Sequence, residues 1–217
     1  MLNYDLYGHG DSGSAPKEAT LTVFADQLAG LMDHVGIERA HVIGFSIGGM
    51  INRRFVLDYP DRVASLVILN SPHDRGEEAQ LAVEGRAKTA RDQGAFATFD
   101  AAVQRWFTAE HVTSGAGPAL VRAWREQVTD EGYAQTSWVL ANGVRELIAP
   151  DPPVVAPTFV MTCENDVGST PQMSQDIAAE IEGSELIIVP KFKHLGLIEK
   201  PDAFTRPICD FLERVAD

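Results

Sequence analysis

His41-Val42-Ile43-Gly44-Phe45-Ser46-Ile47-Gly48-Gly49 is the stretch that decides the fold. Its first five residues form an apolar run with β-branched members, the pattern of a strand buried on both faces. From about Gly48 to Leu57 the pattern turns helical, and Tyr59-Pro60 stops it. A serine between glycines at a strand-to-helix junction matches the G-x-S-x-G pattern of a nucleophile elbow. Such a turn strains the serine backbone and lifts its hydroxyl above the sheet edge. Gly44 and Gly48 are expected to flank Ser46 because side chains there would collide across the turn. The amide of Ile47, opening the helix, then faces the place where an oxyanion would form.

Three further runs read as buried parallel strands: Ser65 to Leu69, Thr158 to Thr162 and Glu185 to Val189. Ahead of the first strand, Phe24, Leu28, Leu31 and Val35 fall at helical spacing, with Thr20 or Thr22 as N-cap and Gly36 as the stop. Ala203 to Val215 reads as a closing helix, with Pro207 against a regular course. Strands alternating with helices indicate an α/β domain with a parallel sheet. The rhythm breaks from Asp74 to Pro150, where only helical candidates occur: Ala79 to Arg91, Phe96 to Phe107, Ala119 to Val128 and Tyr133 to Leu147. The expected organisation is a core of residues 1–73 and 151–217 with a helical insertion at 74–150. That insertion would form a lid over the carboxyl ends of the strands, where open α/β sheets place ligands. The alternative is a set of helices packed on one face for stability alone.

A serine hydroxyl needs a base to take its proton and an acid to orient that base. Asp166 lies just past the third strand and His194 just past the fourth, so both fall on the same sheet edge as Ser46. Glu164 competes for the acid role, and Asp74 does so more weakly. His73 could line a pocket, although Pro72 and Asp74 favour a turn; His34 and His41 read as surface residues, and His111 lies in the insertion. Trp106, Phe107, Tyr133 and Trp138 could roof an apolar pocket, or equally form the core of the inserted helices. An anionic substrate would need a local cation, for which Arg105 and Arg145 are candidates; Arg53 and Arg54 are expected to face water or pair with acids. Cys163 reads as a buried strand residue rather than a nucleophile.

Composition narrows the classes. Hydrophobic residues make up 45% and charged ones 23% of 217, ordinary globular usage that excludes disorder and coiled coil. Charge sums to 18 − 31 = −13, which opposes binding to nucleic-acid phosphates or anionic lipid. No apolar run is long enough to cross a bilayer, and Met1 opens no signal sequence, so a cytoplasmic protein is expected. Two cysteines make neither a disulfide framework nor a zinc site. No metal-ligand spacing, dinucleotide fingerprint or phosphate loop occurs, so no metal and no cofactor are expected. Self-association is left open.

Asp5-Leu6-Tyr7-Gly8-His9-Gly10-Asp11-Ser12, the elbow at Gly44 to Gly49, Asp166, and His194 through Pro201 occur in a fixed order. Together they resemble the α/β-hydrolase superfamily, and within it 3-oxoadipate enol-lactonases and related small esterases. The first segment looks like the superfamily's D-L-x-G-H-G-x-S loop, and Arg105-Trp106-Phe107-Thr108 is similar to a segment of those lactonases. The resemblance implies an α/β-hydrolase fold, a Ser46–His194–Asp166 triad, an oxyanion amide on Ile47, and cleavage of a small ester or lactone without a cofactor. Carbon–carbon bond hydrolysis and perhydrolysis use the same triad, and some members bind ligands without turnover. The chain departs from the superfamily by beginning inside its fourth strand, without roughly fifty residues that include the loop donating a second oxyanion amide. Such a start is expected to leave an apolar edge on the strand His41 to Phe45. If the short start is genuine, losing one oxyanion donor is expected to lower kcat by about 10²–10³.

Overall fold

The computed structural model describes residues 1–216. Four parallel strands form one sheet in the order β1 (Ala40–Phe45), β2 (Val63–Leu69), β3 (Thr158–Cys163) and β4 (Glu185–Val189). The register aligns Gly44 with Ile68, Leu69 with Met161 and Cys163 with Val189. The carboxyl ends therefore share one rim.

The continuous apolar runs of β2 and β3 arise because both faces of the sheet are covered there. The outer strands β1 and β4, expected to be buried on both faces, instead carry exposed residues at alternate positions, because each is paired on one side only among the described residues. Leu66, Ile68 and Val160 face α1 (Leu21–His34), α2 (Ile47–Asp58) and α8 (Pro171–Ala179). Val67, Leu69, Phe159 and Met161 face α10 (Asp202–Arg214), where Phe211 stacks on Phe159 at 5.3 Å between ring centroids. Thr20 caps α1 by accepting from the Val23 amide at 3.1 Å. Val35, expected on the apolar stripe, is 47% exposed, because the helix has already ended at His34 and Gly36 turns the chain at φ +71°. Pro207 sits inside α10 without ending it.

The stretch from Gly76 to Leu147 carries α3 (Gly76–Gln93), α4 (Phe99–Trp106), α5 (Ala109–Ser114), α6 (Ala116–Arg125), α7 (Asp130–Asn142) and a 3-10 turn at Gly143–Leu147. α5 has no counterpart among the sequence expectations. It is one and a half turns long, too short for a periodic signal, and is held by its cap, Thr108, which takes the His111 amide. Phe99, Val103, Phe107 and Val121 pack with Leu195 and so tie these helices to the loop after β4. α3 meets α7 through Val83, Ala87 and Ala141.

The residues before α1 form no strand, contrary to the expectation of a fourth-strand remnant. A strand needs a neighbour for its hydrogen bonds, and here the segment makes other ones. The Asp5 carbonyl accepts from Ser12 Oγ at 2.7 Å and from Gln27 Nε2 at 3.0 Å. β1 is the outer strand of the described sheet, with Ile43 47% exposed. No helix among the described residues is long and apolar enough to cross a membrane.

Candidate active site

Ser46 sits between the end of β1 and the start of α2 with φ +56° and ψ −116°, a left-handed conformation unusual for a residue with a Cβ. Its amide donates to Leu69 O at 2.8 Å, which pins the turn to the neighbouring strand. A Cβ on Gly44 would press on the Gly48 carbonyl group, so Gly44 does what its position suggested. Gly48 does not: a Cβ there would meet nothing within 4 Å. The crowded partner is Gly49, whose Cβ would lie 2.6 Å from Ser71 Cβ, because the first turn of α2 packs against the loop after β2. Ile47 opens α2, where an amide has no carbonyl of its own helix to meet.

The loop after β3 delivers Asp166, which is 3% exposed, and the loop after β4 delivers His194, which is 9% exposed. His194 Nε2 lies 3.1 Å from Ser46 Oγ, and His194 Nδ1 lies 2.7 Å from Asp166 Oδ2. The imidazole is fixed from both sides by the Phe45 ring at 4.8 Å and the Trp106 ring at 6.3 Å between centroids. Leu195 N donates to Trp106 O at 2.9 Å, so the loop bearing the base is tied to the end of α4. Glu164 is turned away and accepts the Lys191 amide, while Asp74 accepts the Gly76 amide at the start of α3.

Asp166 is held as an anion. Burial pushes its carboxyl up, but the charge of His194, the hydrogen bond from it, and donors from Asn70 and Ser169 outweigh this and bring it below the usual carboxylate range. The amides of Gly168 and Ser169 reach Oδ1, each at 2.9 Å, and Asn70 Nδ2 reaches Oδ2 at 2.9 Å. Asn70 was not singled out by the sequence. It follows β2 directly, is fully buried, and takes φ +45°, a conformation asparagine tolerates better than most residues. Asn70 is a positioning residue: Asn70→Ala is expected to lower kcat roughly tenfold, the cost of one charge-assisted hydrogen bond. It should also return the Asp166 carboxyl toward its ordinary range. The stability that comes from the depressed carboxyl is present above its unfolded value and lost as pH falls through the folded one, so the stability gap between wild type and Asn70→Ala should narrow in acid. Paired kinetic and acid-unfolding curves check both effects.

A cavity of about 330 Å³ opens above the three side chains. Trp106 and Tyr133 line it, as does Arg105. Phe107 and Trp138 do not, which corrects their expected place at the substrate. Phe107 is fully buried against Gly117 and stacks on His111 at 5.2 Å, and Trp138 is 37% exposed with the Arg91 guanidinium over its ring at 4.5 Å. Arg145 lies on the surface beside Glu84, away from the cavity. Arg53, expected to face water or pair with acids, does the second: it is 3% exposed, lies 3.8 Å from Glu180, and donates to Leu147 O at 2.7 Å and Pro72 O at 3.2 Å. His73 also turns to Glu180, at 2.9 Å, rather than to the cavity. Arg54 pairs with Asp58 one turn along α2, as expected. Cys163 is buried and its thiol is pushed up to about 11, chiefly by burial.

Residues 2–201 match the family described as alpha/beta hydrolase fold. The chain belongs to this family. As an α/β hydrolase it is similar to (E)-2-((N-methylformamido)methylene)succinate hydrolase of Acinetobacter baylyi, 25% identical over 98% of this chain and 80% of that protein. It is also similar to 3-oxoadipate enol-lactonase 2 of the same organism, 26% identical over 99% and 79%. The crystal structure of the enol-lactonase from Burkholderia xenovorans superposes with a TM-score of 0.86 at 28% identity, covering 97% of this chain and 79% of that one. This α/β hydrolase is thus a hydrolase with relatives that act on different bonds.

Proposed function

We propose that the protein cleaves a carboxylic ester or lactone through an acyl-enzyme on Ser46. The observation that carries this reading is the unbroken line Ser46 Oγ, His194 Nε2, His194 Nδ1, Asp166 Oδ2, with gaps of 3.1 and 2.7 Å. Ser46 Oγ attacks the acyl carbon while its proton passes to His194 Nε2. The carbonyl oxygen becomes an oxyanion facing the Ile47 amide and the positive end of α2. His194 then hands its proton to the departing alkoxide, leaving the acyl group on Ser46. Water, deprotonated by His194, attacks that ester, and Ser46 Oγ regains its proton as the acid leaves.

The helices between Gly76 and Leu147 supply Arg105, Trp106 and Tyr133 to the cavity wall, which supports their reading as a lid over the site. Similarity to enol-lactonases favours a lactone or a compact ester, and a cavity of about 330 Å³ suits an acyl group of that size. Stopped-flow mixing with p-nitrophenyl acetate tests the reading. A burst of nitrophenolate of about one equivalent is expected whenever deacylation is the slow step, with trapped acetyl on the peptide containing Ser46 by mass spectrometry. Hydrolysis with no acetyl on Ser46 after acid quenching would overturn it.

A further inference from the structure

The cavity wall opposite the triad is basic in a protein of net charge −13. Arg75, Ala79, Ala82, Val83 and Arg86 recur at helical spacing along α3 and all face the cavity. Small side chains between two arginines leave a groove with a guanidinium toward each end. Arg105, from α4, joins them.

None of the three has a carboxylate partner among the described residues. Arg75 donates to Leu140 O at 2.9 Å and, more weakly, to Ala141 O and Gln80; Arg105 donates to Ala101 O at 3.0 Å on its own helix. Arg86 meets no protein acceptor among the described residues. Elsewhere arginines 53, 54, 62, 122, 145, 206 and 214 each lie beside an acid, while Arg39 and Arg125 donate to backbone carbonyls and Arg91 and Arg125 lie over aromatic rings. The one carboxylate in the cavity, Asp166, is already committed to His194. The three cations also strain one another. Burial first and then the charge of Arg86 bring Arg75 down to about 10, burial and then Arg105 lower Arg86, and burial lowers Arg105. Asp74 offsets part of this at Arg75, but half-buried cations of like charge with no carboxylate paired to them favour a ligand that brings anions.

We propose that the acyl part of the substrate carries two ionised carboxylates, bound along the row Arg75, Arg86 and Arg105. The inference rests on the reading of this cavity as the acyl site above Ser46. One carboxylate would leave two guanidiniums facing each other. The planar guanidinium also matches a carboxylate through two parallel hydrogen bonds.

Product acids test this directly, since hydrolysis adds one carboxylate to those the substrate already bears. Butyrate, glutarate and tricarballylate carry none, one and two carboxylates beyond the acyl one. Calorimetric titration of the intact protein is expected to rank tricarballylate at least tenfold tighter than glutarate, and glutarate at least tenfold tighter than butyrate. Arg86→Gln should weaken tricarballylate at least tenfold, with Arg86→Lys intermediate. Glutarate binding as tightly as tricarballylate, inorganic phosphate binding as tightly as tricarballylate, or an unchanged affinity in a folded Arg86→Gln protein would each overturn the inference. Because calorimetry needs no turnover, a protein that ranks the acids in this order but never acylates Ser46 would lose the hydrolytic mechanism and keep the anion site.

Discussion

Ser46→Ala is expected to lower kcat for an activated ester by about 10⁵–10⁶, while KM changes by only a few-fold. In the proposed mechanism the Ser46 hydroxyl forms and breaks the covalent bond, and no other hydroxyl of the cavity has His194 Nε2 within hydrogen-bond distance among the described residues. Cys163, the thiol in this part of the fold, is fully buried beneath Gly196 and held protonated at neutral pH. The loss should not come from unfolding. Alanine inherits the same φ of +56°, and the turn is held by backbone contacts, including the Ser46 amide to Leu69 O at 2.8 Å. Steady-state kinetics beside a urea melt will separate the two. A variant that keeps more than a tenth of wild-type kcat would remove Ser46 from the chemistry.

Asp166→Asn should cost about 10⁴ in kcat, through a different cause. The carboxylate presents only acceptors, and four donors converge on it from His194, Asn70, Gly168 and Ser169. Asparagine can keep the two amides on its oxygen, but its nitrogen then faces the donors Asn70 Nδ2 and His194 Nδ1. Relief comes from moving the imidazole proton to Nε2, which places a donor where Ser46 needs an acceptor. Stability should fall as well, with a pH signature. The folded-state pKa of Asp166 lies below its unfolded value, so its contribution is complete above about pH 4 and is lost as pH falls through the folded value. The stability gap between wild type and Asp166→Asn should therefore narrow in acid. Glu164→Gln is the control: Glu164 is exposed and accepts the Lys191 amide, so its kcat should stay within a few-fold of wild type.

The sheet was legible because parallel strands covered on both faces read as unbroken apolar runs, and β4 matches its expected span of Glu185 to Val189. The convergence of Ser46, Asp166 and His194 was legible because each follows such a run on the same rim. Side-chain direction within the helical stretch was not. Trp106 and Phe107 are neighbours on α4 and its cap, so they point about 100° apart, and only Trp106 reaches the cavity. The arginine row was missed because arginine is usually solvated. The signal lay in spacing: positions 75, 79, 82, 83 and 86 fall on one helical face, and that face is small or basic rather than plainly apolar. Asn70 carried no signal at all, since only the pairing of β2 with β3 brings it beneath Asp166.

The measurement that bears most directly on the account is covalent labelling with a fluorophosphonate, read by intact mass and peptide mapping. One equivalent should add to the wild-type chain, on the peptide bearing Ser46, and the rate should fall by at least a thousandfold in His194→Ala. A wild-type protein that takes up no label, or one whose labelling is indifferent to His194, would contradict it.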